Sequence, residues 1–313
     1  MKHTLIALVL TLYAVSATAQ GSRFHVYCDK GEKINKLLNT IVRTNLPSPI
    51  TITVSGACKE SVSIQNSDRV TLRTLTGAVI SGVSKDVDAA VTVNNSSFVA
   101  IEGFLIRGGA NGVLCEGNSV CNLTGLTVEG ATNDGVRYER SGGVLAGNLI
   151  ENNGFRGISA VNGSKILLVG GRIQDNAQAG IGVISGSEIT LNNVTIQNNA
   201  LEGLVALLGS SVRIFDSTII SNGSSGIGLY SQSNGSLEQT VTGNVVTGNA
   251  GNGVFLRDLS FARFEGTNTV SGNSTQPDVE CAPQFPATRG AGTVAGTTNC
   301  VEPEAAGARK DSR

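Results

Sequence analysis

The sequence predicts an all-β protein whose chain winds into a solenoid of short parallel strands, with about ten coils of roughly 23 residues each. Glycine recurs every 23 residues at Gly157, Gly180, Gly203 and Gly226, and a branched apolar residue follows each of these glycines. A row of asparagines keeps nearly the same step, and it contains Asn153, Asn176, Asn199, Asn222 and Asn249. Repeats of this length are typical of proteins in which each repeat stacks on its neighbours.

Each repeat contains three short apolar segments, which predict three strands separated by three turns. In the repeat that follows Gly180 these segments are residues 181–184, 189–191 and 194–196. They are rich in β-branched residues and are separated by serine, glycine and asparagine, a pattern typical of strands and turns rather than of a helix. Because one coil cannot bury so short an apolar face, the next coil covers it, and equivalent strands become parallel neighbours about 4.8 Å apart.

The glycine and asparagine rows are interpreted as structural. Glycine permits a positive φ or a close approach of the backbone just before a strand. Asparagine accepts the left-handed conformation and can bond backbone groups with both ends of its amide. Stacked asparagines can also bond one another along a ladder. We therefore expect the asparagine row to support the turns rather than to bind a ligand.

The N-terminal part of the chain predicts two segments before the solenoid. Residues 1–19 have a charged start, an apolar stretch and an Ala-Thr-Ala end, as in a secretory signal peptide that is cleaved near Ala19–Gln20. We therefore expect a secreted protein, periplasmic or extracellular. Residues 20–49 predict an N-terminal cap with a short helix, since its apolar residues follow helical spacing at Ile34, Leu37, Leu38 and Ile41.

The rest of the chain divides into three segments. Residues 50–274 contain the repeats and predict the solenoid itself. Residues 275–300 are rich in proline and glycine without a period, which predicts an irregular C-terminal cap or strap. Residues 301–313 are polar and predict a disordered tail.

The six cysteines form three local pairs, which are Cys28 with Cys58, Cys115 with Cys121, and Cys281 with Cys300. An even number of cysteines in an exported chain favours disulfide bonds. A metal site is the alternative, but the spacings differ from those of paired zinc ligands and no histidine lies nearby. No glycine-rich phosphate loop is present either, so we predict three disulfides, no metal and no cofactor.

Charge and hydropathy exclude two classes of partner. The chain has 23 basic and 24 acidic residues and a formal net charge of −1, which provides no basic field for nucleic acid. No segment after the predicted signal peptide has 18 uninterrupted apolar residues, so we expect no membrane span. The expected protein is a monomer whose partner is a polysaccharide or another surface protein.

The rows of glycine, branched apolar residue and asparagine, with a helix leading into the first strand, resemble the right-handed parallel β-helix superfamily, which is also called pectate-lyase-like. The resemblance covers roughly residues 33–273, and the whole chain is similar to secreted bacterial proteins described as parallel β-helix repeat proteins. It implies a right-handed solenoid. It does not imply one activity, because the superfamily includes lyases, hydrolases, esterases, epimerases and adhesins.

The motifs of the better-known enzymes in this superfamily are absent. A polygalacturonase-like site needs a histidine with paired aspartates, but His25 is the only histidine after the predicted signal peptide. The epimerase-like Asp-Pro-His motif is missing, and the chain has no tryptophan for the pectate-lyase motif. These absences lower the expectation of a familiar catalytic site.

Alignment of the repeats predicts one charged cluster on the strand faces. Side chains alternate across a strand, so residues two and four positions after each ladder glycine point outward. The cluster contains Asp134, Arg137, Glu139 and Arg156, on two adjacent rungs. In a lyase, an arginine neutralises the uronate carboxylate while a base takes the proton from C5. A salt-bridge ladder on the surface is the alternative interpretation.

A second outward column is mostly apolar, which is unusual for a solvent-facing surface. Together with the aromatic residue beside it, it predicts a binding surface that contains Val161, Ile184, Leu207, Tyr230, Phe255 and Arg257. The C-terminal strap could cover this apolar column. Otherwise the column is a binding face for a partner protein, a membrane surface or a glycan.

Two functions remain open from the sequence. The first is a non-catalytic secreted β-helix that serves as a surface, envelope or extracellular interaction module, and the missing motifs favour it. The alternative is a polysaccharide lyase or epimerase that acts on an acidic, uronate-containing polysaccharide. The resemblance and the charged cluster favour this alternative.

Overall fold

The computed structural model describes residues 21–83, 88–282 and 293–300. The predicted signal peptide and the predicted disordered tail lie outside these residues. Residues 283–292, in the middle of the predicted strap, also lie outside them.

The chain forms a solenoid in which each coil contributes one strand to each of three parallel sheets, which we name A, B and C. This architecture confirms the predicted all-β solenoid of parallel strands. In stacking order, sheet A contains Ser22–Tyr27, Ile50–Ser55, Val70–Thr74, Val99–Glu102, Cys121–Thr124, Gly142–Ala146, Lys165–Val169, Glu188–Asn192, Ser211–Phe215, Asn234–Glu238 and Phe261–Phe264.

Sheets B and C follow the same order along the solenoid axis. Sheet B contains Ala57–Lys59, Val79–Ser81, Leu105–Arg107, Thr127–Glu129, Leu149–Glu151, Arg172–Gln174, Thr195–Gln197, Thr218–Ile220, Val245–Thr247, Thr267–Val270 and Thr293–Ala295. Sheet C contains Val62–Gln65, Ala89–Asn94, Asn111–Glu116, Val136–Glu139, Ile158–Val161, Ile181–Ile184, Leu204–Leu207, Ile227–Leu229, Val254–Leu256 and Val279–Cys281.

The register between coils places equivalent residues of successive repeats side by side. Ile181 pairs with Ile158 on the preceding rung and with Leu204 on the following one. All three side chains are fully or almost fully buried in the apolar interior. Since neighbouring coils share this interior, each coil depends on the next for burial.

The glycine row is required because two rungs approach closely. A Cβ atom at Gly180 would lie 2.7 Å from the carbonyl oxygen of Gly203 and 2.7 Å from Nδ2 of Asn199. The φ angle of Gly180 lies outside the left-handed region. Of the two reasons for glycine at this position, the structure therefore supports the close approach.

The asparagine row forms a continuous ladder of buried side-chain amides. Nδ2 of Asn153 donates to Oδ1 of Asn176 at 3.0 Å, and Nδ2 of Asn176 donates to Oδ1 of Asn199 at 2.9 Å. The same contact repeats up to Asn273, whose Nδ2 donates to Oδ1 of Asp278 at 3.2 Å. A carboxylate, which only accepts, thus ends a ladder in which every amide donates toward the C-terminus.

The predicted N-terminal helix is confirmed as Ile34–Thr44, and it follows a short 3-10 turn at Cys28–Lys30. Its apolar stripe buries Ile34, Leu38 and Ile41 against the first coils. The carboxylate of Glu60 accepts the Ile34 N–H at 2.7 Å, which satisfies a free donor at the helix N-terminus and favours its dipole.

The C-terminal segment is more regular than the sequence predicts. Val279–Cys281 adds a last strand to sheet C and Thr293–Ala295 adds one to sheet B. The final coil of a solenoid has unpaired N–H and C=O groups, and these short strands pair with them although they have no repeat of their own.

The three predicted cysteine pairs are disulfide-bonded in the structure. Their Cα–Cα distances are 5.0 Å for Cys28–Cys58, 6.4 Å for Cys115–Cys121 and 5.1 Å for Cys281–Cys300. The first and last bonds link segments at the two ends of the solenoid, and the middle one joins two fully buried cysteines in one coil.

Candidate functional site

A groove runs along the outer face of sheet C, between that face and the turns that lead into it from sheet B. It encloses about 420 Å³. We call it the sheet C groove, and its main lining residues are Arg156, Glu202, Val205, Leu207, Tyr230 and Arg257. The volume falls within the usual range of small-ligand sites, although the groove is open along one side.

The repeat explains why charged residues reach this groove. Each turn from sheet B to sheet C runs from a ladder asparagine to a ladder glycine four residues later, as from Asn153 to Gly157. The ladder residues are buried, and so are most residues just before the ladder glycine, such as Asp134 and Ala179, whereas the longer side chains of Arg156 and Glu202 at this position are only half-buried. Arg156 and Glu202 hold the same place in turns two coils apart, one residue before the glycine.

Arg156 lies flat on the sheet because the next rung has no side chain at the matching place. A Cβ atom at Gly182 would lie 2.6 Å from Cδ and 2.8 Å from Nε of Arg156. The guanidinium carbon is 4.6 Å from the centre of the Phe155 ring, within cation–π range. Burial is the largest cause of the lowered pKa of Arg156. Asp134 opposes this effect and the like charge of Arg137 adds to it.

Tyr230 folds back along the sheet in the opposite direction. A Cβ atom at Gly228 would lie 2.6 Å from Cε2 of Tyr230, so this glycine leaves room for the ring. The ring packs edge to face against Phe255, with centroids 5.7 Å apart. Burial and then the charge of Glu202 raise the pKa of the Tyr230 hydroxyl to about 12, so the group stays protonated at neutral pH.

Glu202 lies between these two side chains on the groove wall. Its Oε1 accepts a long hydrogen bond of 3.5 Å from the Tyr230 hydroxyl and another of 3.4 Å from Oγ of Ser224. The charge of Glu202 also acts on Arg156, whose positive form it favours. The groove thus combines a carboxylate, a protonated phenol and a cation.

This set of groups can move a proton next to a bound anion. A carboxylate is a general base, a protonated phenol is a general acid, and a guanidinium stabilises negative charge that develops between them. Arg257 adds a second cation further along the groove, beside Asp258, whose Oδ1 is 3.4 Å from Nε of Arg257.

The structure brings together three members of the charged cluster predicted from the sequence. Arg137 contacts Asp134 and Glu139, at 3.3 Å in each case. Asp134 is fully buried, and Glu139 also accepts a hydrogen bond from Asn162 at 3.3 Å. Two carboxylates therefore hold Arg137 in place, as in the salt-bridge interpretation.

The fourth predicted member, Arg156, turns its side chain away from this cluster. Its backbone N–H donates to Oδ1 of Asp134 at 3.4 Å, while the guanidinium lies over Gly182 on the next rung. Arg156 consequently belongs to the sheet C groove with Glu202 and Tyr230.

Of the predicted apolar column and its neighbours, Leu207, Tyr230 and Arg257 line the groove. Val161 is buried with 6% exposure, Ile184 and Leu207 are half-buried, and Arg257 is exposed. The described parts of the C-terminal segment pair with the last coil, as the two strands above show. In those parts, we see no strap across the column.

Sequence reasoning missed Glu202 as a member of the site, although the residue stands in the column that contains Asp134 and Arg156. Ala179 separates Glu202 from Arg156 by one rung, so the sequence suggests no contact. The signal that could have found it is the pair of glycines, Gly182 and Gly228, which interrupt an outward column where a side chain would otherwise stand.

In residues 21–83, 88–282 and 293–300, no three His, Cys, Asp or Glu side chains come close enough together to hold a metal ion. Within the same ranges, helices long and apolar enough to cross a membrane are absent.

Comparison with known proteins identifies the fold. The family described as right handed beta helix region matches residues 111–275 of this chain. No curated protein matches the chain in sequence.

Solved structures with the same fold include enzymes that act on polysaccharides. The A-module of mannuronan C-5 epimerase AlgE6 from Azotobacter vinelandii has a TM-score of 0.61 and 16% identity, over 82% of this chain and 80% of that one. The A-module of AlgE4 from the same organism has a TM-score of 0.60 and 14% identity, over 86% and 93%. An alginate lyase from Paenibacillus sp. str. FPU-7 has a TM-score of 0.55 and 13% identity, over 88% and 99%. At these identities the likeness shows the shared fold.

Proposed function

Since this chain belongs to the right-handed β-helix family, we propose that it binds an acidic polysaccharide along the sheet C groove and acts on it as a lyase or C5 epimerase. This is the second of the two functions that the sequence leaves open. The observation that carries it is the meeting of Arg156, Glu202 and Tyr230 in one groove on the outer face of the solenoid.

The chemistry common to both reactions is removal of the proton at C5 of a uronate residue. Glu202 takes this proton as general base, and the electron pair moves toward the sugar carboxylate. Arg156 faces that carboxylate and stabilises the negative charge that builds up on it.

The two reactions differ in what happens to the resulting carbanion. In a lyase, the C4–O4 bond breaks, a C4–C5 double bond forms, and the Tyr230 hydroxyl protonates the leaving O4. In an epimerase, a solvent water gives a proton to C5 from the opposite face, Glu202 releases the abstracted proton to solvent, and no bond of the chain breaks. The Tyr230 hydroxyl is protonated at neutral pH and so carries the proton that the first route needs.

The neighbours support this substrate class. Two of them are epimerases of mannuronan and one is a lyase of alginate, and all three share the fold of this chain. The extent of the groove supports a polymer as well. It reaches from Arg156 to Arg257, four rungs further, and four rungs span about 19 Å.

Location and assembly follow as further parts of the proposal. Three disulfides fit a protein that folds in an oxidising compartment. We therefore propose a secreted protein, and the expectation of a monomer stays a prediction.

The proposal is tested by incubating purified protein with alginate, polygalacturonate and, as an uncharged control, a neutral glucan. A lyase product is detected by the ultraviolet absorbance of its unsaturated uronate, and an epimerised product by NMR. We expect turnover on at least one acidic polymer and none on the glucan.

The variant Glu202→Gln should lower the rate by a factor of about 10²–10⁴, since it removes the base but keeps the shape. It should leave polymer binding unchanged or tighter, because one negative charge leaves the groove. The matched control is Glu188→Gln, an exposed carboxylate on sheet A that pairs with Lys165. A full rate in Glu202→Gln contradicts the assignment. Binding of the polymer by the wild-type protein without any product would support the non-catalytic module instead.

A further inference from the structure

Ser159 is a buried hydroxyl on the outer face of sheet C. It stands between Arg137 on one rung and Gly182 on the next, while its chain neighbours Ile158 and Ala160 face the core. Its exposure is 0%, and among the described residues its Oγ has no hydrogen-bond partner. Buried hydroxyls in native proteins almost always form a hydrogen bond. The unbonded hydroxyl of Ser159 is therefore evidence for a hydrogen-bond partner from outside the protein.

The guanidinium of Arg156, which reaches over the rung next to Ser159, packs on Phe155 but has no anionic partner among the described residues. Within the described part of the chain, no carboxylate is in ion-pair distance of its guanidinium and no side-chain hydrogen bond is formed. Burial, the largest cause, lowers its pKa, which agrees with a partly desolvated cation that lacks a direct counter-charge. Arg137 differs, since Asp134 and Glu139 neutralise it.

We infer that Arg156 and Ser159 together form a subsite for one anionic group, the carboxylate of a sugar residue. This inference rests on the proposed function and deepens it by stating how one uronate is held. A carboxylate has two oxygens that accept hydrogen bonds, one for the guanidinium fork and one for a hydroxyl. Its arrival supplies both the missing acceptor of Ser159 and the missing charge beside Arg156.

Gly182 is a positioning residue for this subsite. Its backbone is that of an ordinary strand, with φ outside the left-handed region, so alanine fits the main chain. A methyl group there would nevertheless overlap the Arg156 side chain and displace it. The variant Gly182→Ala thus moves the cation without altering either binding group.

The test uses free sodium glucuronate as the probe, with glucose as its uncharged counterpart, and calorimetry or NMR titration as the readout. We expect Ser159→Ala to weaken glucuronate binding at least tenfold while its thermal midpoint stays the same or rises. The midpoint should not fall because the lost hydroxyl makes no bond in the free protein. Gly182→Ala should weaken binding to a similar extent. Ser236→Ala, which removes a strand hydroxyl on sheet A that donates to Glu238, is the matched control and should leave binding unchanged.

Three results would overturn the subsite. They are no glucuronate binding by the wild-type protein, unchanged affinity in Ser159→Ala, and a thermal midpoint of Ser159→Ala that falls by several degrees, since that would reveal an internal partner. The outcome is separable from the proposed function. If glucuronate binding depends on Ser159 but no polymer is turned over, the subsite stands and the enzyme proposal fails. If a polymer is turned over and Ser159→Ala keeps both kcat and KM, the enzyme proposal stands and the subsite fails.

Discussion

The ladder of asparagines allows one substitution, Asn176→Ala, to be worked out bond by bond. Oδ1 of Asn176 accepts from the backbone N–H and from Nδ2 of Asn153, at 3.2 and 3.0 Å. Its Nδ2 donates to the carbonyl oxygens of Ile150 and Gln174, and to Oδ1 of Asn199. Alanine removes all five bonds from a side chain with 1% exposure.

The cost is dominated by the groups that lose their partner. Nδ2 of Asn153 keeps the carbonyl oxygen of Glu151 at 3.0 Å, and Oδ1 of Asn199 keeps the backbone N–H of residue 176 at 3.2 Å. The backbone N–H of Asn153 retains no acceptor among the described residues, which costs about 1–3 kcal/mol. The carbonyl oxygens of Ile150 and Gln174 each lose one hydrogen bond, and the missing amide leaves a small void. Together these effects bring the loss in free energy of unfolding to roughly 3–5 kcal/mol.

Thermal unfolding followed by circular dichroism measures this effect. At about 2–4 °C per kcal/mol, the midpoint should fall by roughly 6–20 °C. The control is Asn192→Ala, because Asn192 is exposed on sheet A and forms no side-chain hydrogen bond with the described residues. Its change should stay within about 0.5 kcal/mol. Equal midpoints for the two variants would refute the view that the ladder satisfies buried backbone groups.

Two further predictions concern the ends of the solenoid. Burial raises the pKa of Asp278, but hydrogen bonds from Thr297 and Asn273 outweigh it and leave the pKa below the usual value. The stabilisation by this carboxylate is therefore fully present above about pH 4 and is lost as the pH falls through the folded-state pKa. Asp278→Asn should accordingly be less stable than the wild type at neutral pH. The difference in urea midpoint between the two proteins should shrink below about pH 4. A difference that stays constant with pH would contradict a stabilising role of the Asp278 carboxylate. Replacing Cys28 and Cys58 by alanine opens a loop with a sequence separation of 30 and should cost about 3–4 kcal/mol in urea unfolding; an unchanged midpoint would show that this bond does not stabilise the N-terminal end.

Much of the fold follows from the spacing of particular residues. The 23-residue step from Gly157 to Gly226 places equivalent strands on successive rungs, and the structure pairs Ile158, Ile181 and Leu204 in that register. The three disulfide pairs could be predicted equally well, because the two cysteines of each pair are close in sequence. The strands at the C-terminal end were not predictable from a period, since residues 275–300 have none.

The candidate site could be predicted only in part from the sequence. The aligned repeats place Asp134 and Arg156 on neighbouring rungs, which the structure shows. They do not reveal that Arg156 leans away from Asp134 or that Tyr230 leans toward Glu202. An arginine or tyrosine side chain is longer than the spacing of about 4.8 Å between rungs, so it can reach a neighbour on either side.

The sequence by itself determined the repeat, because burial of a short apolar face by the next coil requires the same spacing in each repeat. It thereby determined on which rung and on which face each residue stands. Only the tertiary structure decided which side chains meet, since that depends on where room is left on the sheet. The room is left at Gly182 and Gly228, and for this reason a cation and a phenol approach Glu202 from opposite sides.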